Sequence, residues 1–200
     1  MLRWIKKDDI MSFLSVVLTK DFISVMADGM VSKLEDDKLT ELKSDYKKFK
    51  KISQYQFVTF TGAVRIFENI IRKYSYKESP YDLEIVANEI KQLLLQEIRD
   101  NKLVGQVVVG GIQSGDIIAY AITNDNQINR LYKPTGSELA QLYLTSEYID
   151  PKIKEDIPSL FIDFCKKTNN IEESQILLNR IVADNDPTVN NEIQRLLIEL

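Results

Sequence analysis

The chain has 200 residues, 44% of them hydrophobic, a formal net charge of -4 and no histidine. That length supports one medium-sized core, and the acidic balance argues against nucleic acid as a partner. Without imidazole, Ser-His-Asp and Cys-His catalysis are excluded, as are zinc sites of the usual Cys/His type. An enzyme built on this chain needs lysine, carboxylate, hydroxyl or an α-amine as its base.

The opening Met1-Leu2-Arg3-Trp4-Ile5-Lys6-Lys7-Asp8-Asp9-Ile10 is too charged for a signal peptide. No apolar run approaches the ~20 residues of a membrane span. The single cysteine, Cys165, rules out an internal disulfide framework and suits a reducing compartment; on an apolar helix it reads as core packing. These features point to a cytoplasmic protein with no membrane partner.

Residues 13–19 and 22–27 are β-branched and aromatic, and Lys20-Asp21 separates them as a hairpin turn would. Residues 33–50 are polar and lysine-rich, a loop or short strand. Lys43, Lys47, Lys48, Lys50 and Lys51 crowd this region and read as a solvated face. A strand over 51–60 then stops on Thr61-Gly62, a turn that opens a helix.

Phe67, Ile70, Ile71 and Tyr74 repeat at i, i+3, i+4, i+7, the spacing of an amphipathic helix. Ser79-Pro80 interrupts the chain, and Leu83, Val86, Ala87, Ile90 and Leu94 make a second helix that ends at Asp100-Asn101. A meander of three strands follows over 104–112, 117–123 and 128–132. Thr135-Gly136-Ser137-Glu138 has the spacing of a capping box ahead of Leu139, Leu142 and Tyr143. Ile157, Leu160, Phe161 and Phe164 mark a fourth helix. Residues 174–184 suit a strand or a helix. Asp186-Pro187 looks like an N-cap and first helical residue, with Ile193, Leu196, Leu197 and Leu200 on one face.

No internal repeat or low-complexity linker divides the chain. Strands, two helices, strands and two helices give an α+β class, and a four-layer αββα sandwich buries every apolar face. An α+β domain of different topology satisfies the same order.

The opening hairpin ends in Ala27-Asp28-Gly29, and the run Lys48-Phe49-Lys50-Lys51-Ile52-Ser53-Gln54-Tyr55-Gln56-Phe57-Val58-Thr59-Phe60-Thr61-Gly62 follows. Paired helices come next, then Val107-Val108-Val109-Gly110-Gly111 and Thr135-Gly136-Ser137-Glu138-Leu139-Ala140. In this order and spacing, residues 12–147 resemble a proteasome-type subunit of the N-terminal nucleophile (Ntn) hydrolases. The resemblance implies a peptide or amide substrate, no cofactor and no metal, and is compatible with a homo-oligomer.

In that family a Thr, Ser or Cys becomes the first residue, its side chain attacks an amide carbonyl and its own α-amine takes the proton. An α-amine titrates near pH 8, close enough to neutrality to serve. The family's spacing, counted back from Asp28, lands on Ser12 as nucleophile. Lys48 falls at the catalytic lysine with Asp28 orienting it, Gly62 offers the oxyanion N–H, and Thr135 and Ser137 fall near the supporting serine. Read without the resemblance, Ser12 is a polar residue at a strand start and Asp28-Gly29 a common turn pair. Gly62 is then a helix-start glycine, Lys48 one of several lysines and Thr135 an N-cap.

Three departures stand out. Met11 precedes Ser12 where self-processing members carry glycine, and the interval from Asp28 to Lys48 is longer than the family's. After the fourth expected helix, Thr168-Asn169-Asn170-Ile171-Glu172-Glu173 stands where Asp-x-x-Ser-Gly-Gly belongs. An amide-linked Ser12 has no free α-amine. The expected organisation is therefore an N-terminal extension or propeptide over 1–11 and one domain over 12–200, divergent from about 168. Two functions follow: a catalytically degenerate scaffold that assembles or binds a partner, or an N-terminal serine peptidase or amidohydrolase once 1–11 are removed. The family's non-catalytic members build ring interfaces from such extensions, and Trp4 and Ile5 suit that use.

Overall fold

The opening apolar runs are strands buried on both faces. The computed structural model describes residues 9–11, 13–35, 38–101, 103–124 and 129–200. β1 (Asp9–Met11) precedes β2 (Phe13–Leu18) and β3 (Phe22–Asp28). Next come β4 (Val31–Glu35), β5 (Lys38–Lys43), β6 (Phe49–Ser53) and β7 (Gln56–Ala63). Helices α1 (Val64–Lys73) and α2 (Leu83–Asn101) lead to β8 (Gly105–Gln113), β9 (Asp116–Thr123), β10 (Arg130–Tyr132) and β11 (Ala140–Thr145). The chain ends with α3 (Pro151–Thr168), α4 (Ile171–Asn185) and β12 (Ile193–Glu199).

The smaller sheet runs β11-β2-β3-β12 and the larger β10-β9-β8-β7-β1-β4-β5, with β6 also on β7. β2 and β3 form the expected hairpin, in register from Leu14↔Ala27 to Leu18↔Ile23. Thr19 closes it, its hydroxyl accepting from the N–H of Asp21 and of Phe22. Leu14, Val16 and Leu18 pack with Phe57, Val108 and Ala119 of the larger sheet. Phe13 and Val17, on the other face, pack with Ile157 and Phe161 of α3 and Leu178 and Val182 of α4. Burial on both faces explains why Phe13-Leu14-Ser15-Val16-Val17-Leu18 lacks a polar alternation.

The other face of the larger sheet presents Val58, Phe60, Val107 and Val109 to Ile66, Phe67 and Ile70 of α1 and to Val86, Ile90 and Leu94 of α2. Each such side chain stabilises the fold by ~1.5–3 kcal/mol. The architecture is mixed α/β, with two sheets and four helices among the described residues. None of these helices is long and apolar enough to cross a membrane. A buried polar clamp fixes α4 to the smaller sheet: Gln175 accepts from Ser24 Oγ at 2.5 Å and donates to Ser15 Oγ at 2.9 Å.

Several elements differ from the sequence reading. Residues 33–50 contain the hairpin β4–β5, and the strand expected over 51–60 is two strands joined at Gln54-Tyr55. Gly62 lies inside β7 rather than in a helix-opening turn, and α1 starts at Val64. No helix follows Thr135-Gly136-Ser137-Glu138. Those residues form an exposed turn in which the Glu138 N–H reaches the Thr135 carbonyl at 3.0 Å. The next residues, 140–145, pair along the whole of β2 as strand β11. Residues 174–184 are helical within α4. The segment after Asp186-Pro187 is strand β12, paired with β3 from Ile193↔Asp28 to Glu199↔Phe22. In both replacements a free edge of the smaller sheet is completed, and pairing that edge outweighs helix propensity.

Candidate functional site

Asp28 ends β3, where the chain leaves the smaller sheet, and Lys48 stands just ahead of β6. The backbone at Lys48 is pinned by β7: its carbonyl accepts from the Phe60 N–H at 3.1 Å and from Thr59 Oγ1 at 2.8 Å. That anchoring aims the Lys48 side chain inward. Its Nζ donates to Asp28 Oδ1 at 2.5 Å, and both side chains have zero solvent exposure. Asp28 Oδ1 also accepts from the Phe13 N–H at 3.0 Å, and Oδ2 from the Met30 N–H at 2.9 Å.

Burial pushes the Lys48 ammonium below its ordinary range, opposed by Asp28 and by a second carboxylate, Asp186. Burial likewise pushes the Asp28 carboxyl up, against the pull of Lys48 and the two backbone donors. Both shifts have one cause, the loss of water around a charge. The result is an amine that is easier to deprotonate than a surface lysine, beside the backbone of residue 13.

Asp186 is itself buried behind this pair. Its Oδ2 accepts from Ser146 Oγ at 2.5 Å, and its Oδ1 from the Thr188 N–H at 2.9 Å and Thr188 Oγ1 at 2.5 Å. Ser146 follows the last residue of β11 and also accepts from the Tyr148 N–H at 2.9 Å. Asn190 ties the Asp28-Gly29 turn to its neighbours, accepting from the Gly29 N–H at 3.1 Å and donating to the Ser44 carbonyl at 2.9 Å. Ser146, Asp186, Thr188 and Asn190 were not singled out in the sequence as site residues. The segment after α4 reads Asp186-Pro187-Thr188-Val189-Asn190-Asn191, so an Asp-led segment does follow the fourth helix of the structure, with Val and Asn-Asn in place of Ser and Gly-Gly.

Gly62 sits between two strands, opposite Met11 of β1 and Gly105 of β8. Its φ is +107°, and a Cβ there would lie 2.4 Å from the Val104 carbonyl oxygen, so no side chain fits. Strand β1 lies between β7 and β4, with Ile10 opposite both Ala63 and Ser32. The buried hydroxyl of Ser32 has no hydrogen-bond partner among the described residues, a cost of about 1–3 kcal/mol. Ser12 lies outside the described residues, as do residues 1–8 of the expected extension. Of the expected site residues, the fold thus brings together Asp28 and Lys48. Gly62 lies on β7, the strand that pins the Lys48 backbone, while Thr135 and Ser137 are on an exposed turn with no hydrogen bond to either member of the pair. Among the described residues no group of three or more potential metal-ligating side chains gathers.

No protein-family model matches the chain, and no curated protein matches its sequence. Solved structures do match. Eukaryotic HslV from Trypanosoma brucei superposes with a TM-score of 0.59 at 16% identity, covering 94% of this chain and 100% of that one. Anbu (ancestral beta-subunit) from Yersinia bercovieri superposes with a TM-score of 0.63 at 7% identity, covering 94% of this chain and 82% of that one. At such identities the likeness is one of fold: the chain has a proteasome-subunit-like fold.

Proposed function

We propose that this chain is an Ntn-hydrolase-fold protein, organised as a four-layer αββα sandwich, that works as an oligomeric or interaction scaffold in the cytoplasm. The observation that carries this reading is the position of β1. Among the described residues, strands β4 and β5 join the rest of the larger sheet through Asp9–Met11. Loss of residues 1–11 would therefore remove the strand that joins these two parts of the sheet. While Met11 stays joined to Ser12, the Ser12 nitrogen is an amide and cannot act as a base. The likeness to Anbu, an ancestral beta-subunit, favours assembly into a homo-oligomer. Intact mass and light scattering of the purified chain test the reading. Retention of residues 9–11 with a defined assembly is expected; a monomer at high concentration, or a mass starting at Ser12, sinks it.

The buried network favours a second reading, an N-terminal serine peptidase or amidohydrolase formed by removal of residues 1–11. Five buried polar side chains, Lys48 held by Asp28 and Ser146 and Thr188 held by Asp186, are costly to maintain without a use. In this reading Ser12 is the nucleophile and its α-amine the base. Lys48, oriented by Asp28, lowers the pKa of both, and the Gly62 N–H holds the oxyanion. Ser146 is better placed than the exposed Thr135 or Ser137 as the supporting hydroxyl. A chain started at Met11, whose initiator is removed ahead of a small serine, tests it against peptide amides. Turnover that Ser12→Ala abolishes supports hydrolysis, and its absence in a folded Ser12-first chain rejects it.

A further inference from the structure

We infer that the cleft between β9–β10, β11 and the start of α3 binds a small hydroxyl-bearing organic anion, a phosphate ester or a hydroxycarboxylate. The cleft encloses about 400 Å³, within the size of small-molecule sites. Neither Asp28, Lys48 nor Gly62 lines it, so it is separate from the buried pair.

The register of the larger sheet explains how it forms. Gln106 pairs with Thr123, and Ala121 with both Val108 and Arg130. These positions share the face that carries Val108 and Ala119 into the core between the sheets. Toward one end that apolar face turns polar, with Gln106, Thr123 and Arg130 at positions where the alternation calls for core residues. Polar groups on such a face need partners. Gln106 finds one weak contact, from Nε2 to the Thr145 carbonyl at 3.4 Å.

The opposite wall comes from α3, through Lys154, Ile157 and Pro158. Pro158 lies inside the helix and has no N–H, so the Lys154 carbonyl loses its helical donor. The uncharged polar side chains of Gln106, Thr123 and Gln141 on the walls suit a ligand hydroxyl. The charges are one-sided as well. Arg130 and Lys154 line the cleft and no carboxylate does. Among the described residues neither cation forms an ion pair. The Arg130 guanidinium rests over the Tyr132 ring, 5.0 Å from its centroid, which holds it toward the cleft. Leu142 and Leu144 offer carbon to a ligand's carbon skeleton.

Calorimetry on the full chain at low ionic strength tests this, with ribose 5-phosphate and citrate as probes and ribose and inorganic phosphate as comparators. Saturable binding of at least one organic anion is expected, with Kd on the order of 0.1–1 mM and none for ribose. The two anions distinguish phosphate-ester from carboxylate recognition. Arg130→Gln and Lys154→Gln, both on exposed residues and checked for an unchanged melt, each weaken binding by about fivefold or more, whereas Lys133→Gln leaves it unchanged. No saturable binding of either anion at millimolar concentration overturns the assignment. So does binding that survives the double substitution, or inorganic phosphate binding as tightly as the ester.

Discussion

Lys48→Met is expected to destabilise this protein more than removing both members of the buried pair. Lys48 and Asp28 are fully shielded from water. Methionine fills much the same volume but leaves the Asp28 carboxylate with two backbone donors and no counter-charge. Breaking a buried pair in this way costs about 3–5 kcal/mol, while replacing both partners is often close to neutral. For a domain of this size that loss lowers the melting temperature by roughly 6–20 °C.

Urea denaturation of the wild type, Lys48→Met, Asp28→Asn and the double variant measures the cycle. The double variant should recover most of the loss, so the coupling is expected to exceed about 2 kcal/mol. pH adds a second check. Burial already holds Asp28 above the ordinary carboxylate range against the pull of Lys48, and losing Lys48 raises it further. A carboxyl whose folded pKa lies above its unfolded value favours the fold at low pH and loses that contribution as pH rises through the folded value. The Lys48→Met deficit should therefore narrow on going from neutral to acid pH. A single-variant cost below about 1 kcal/mol at pH 7, or a deficit that widens in acid, would refute the picture of a desolvated pair.

Three further outcomes follow from the same geometry. Gly62→Ala forces a side chain onto a positive φ and into the Val104 carbonyl; a loss of about 2–5 kcal/mol is expected in chemical denaturation, and a variant within measurement error of the wild type contradicts the close approach of β7 and β8. Ser146→Ala removes a 2.5 Å donor from the buried Asp186 and should cost about 1–3 kcal/mol, whereas Ser137→Ala on the exposed turn should change the melt very little. Burial, and for Tyr74 the Glu89 hydrogen bond, push the phenols of Tyr74 and Tyr143 above their ordinary range. In the unfolded chain these phenols ionise first as pH passes about 10, so their contribution to stability is present below that pH and lost above it. Spectrophotometric titration should show the Tyr74 and Tyr143 phenols among the last to ionise in the folded protein, and early ionisation of all tyrosines would count against their burial.

Much of this fold can be read from local pattern. The hairpin of β2 and β3, the helical spacing of Phe67, Ile70 and Tyr74, and the strands of β8 and β9 each have a period set by nearest neighbours. The turn at Gln54-Tyr55 was hidden because it contains neither glycine nor proline. The helix expected after Thr135 failed for a different reason: a capping-box spacing is satisfied as well by a surface turn when the following residues pair with β2. One missed signal was present. Asn170 caps α4 by accepting from the Glu173 N–H, the spacing of a helix start. Reading it would have made 171–185 the fourth helix and put Asp186 directly after it.

The sequence by itself determined the chemistry available, since a chain without histidine must draw its base from an amine, a hydroxyl or a carboxylate. It also determined the apolar segments that two sheets and four helices must bury. Which lysine matters was decided only in three dimensions. Lys43, Lys47, Lys48, Lys50 and Lys51 are chemically alike, and β7 selects Lys48 by pinning its carbonyl so that its amine alone meets Asp28 out of water. Asp186 and Ser146 come from the far end of the chain, 40 residues apart, and nothing in either local pattern specifies their meeting. Edge pairing of β11 and β12 with the first hairpin carries them there, because the hydrogen bonds of an open sheet edge are satisfied by distant strands rather than by neighbouring residues.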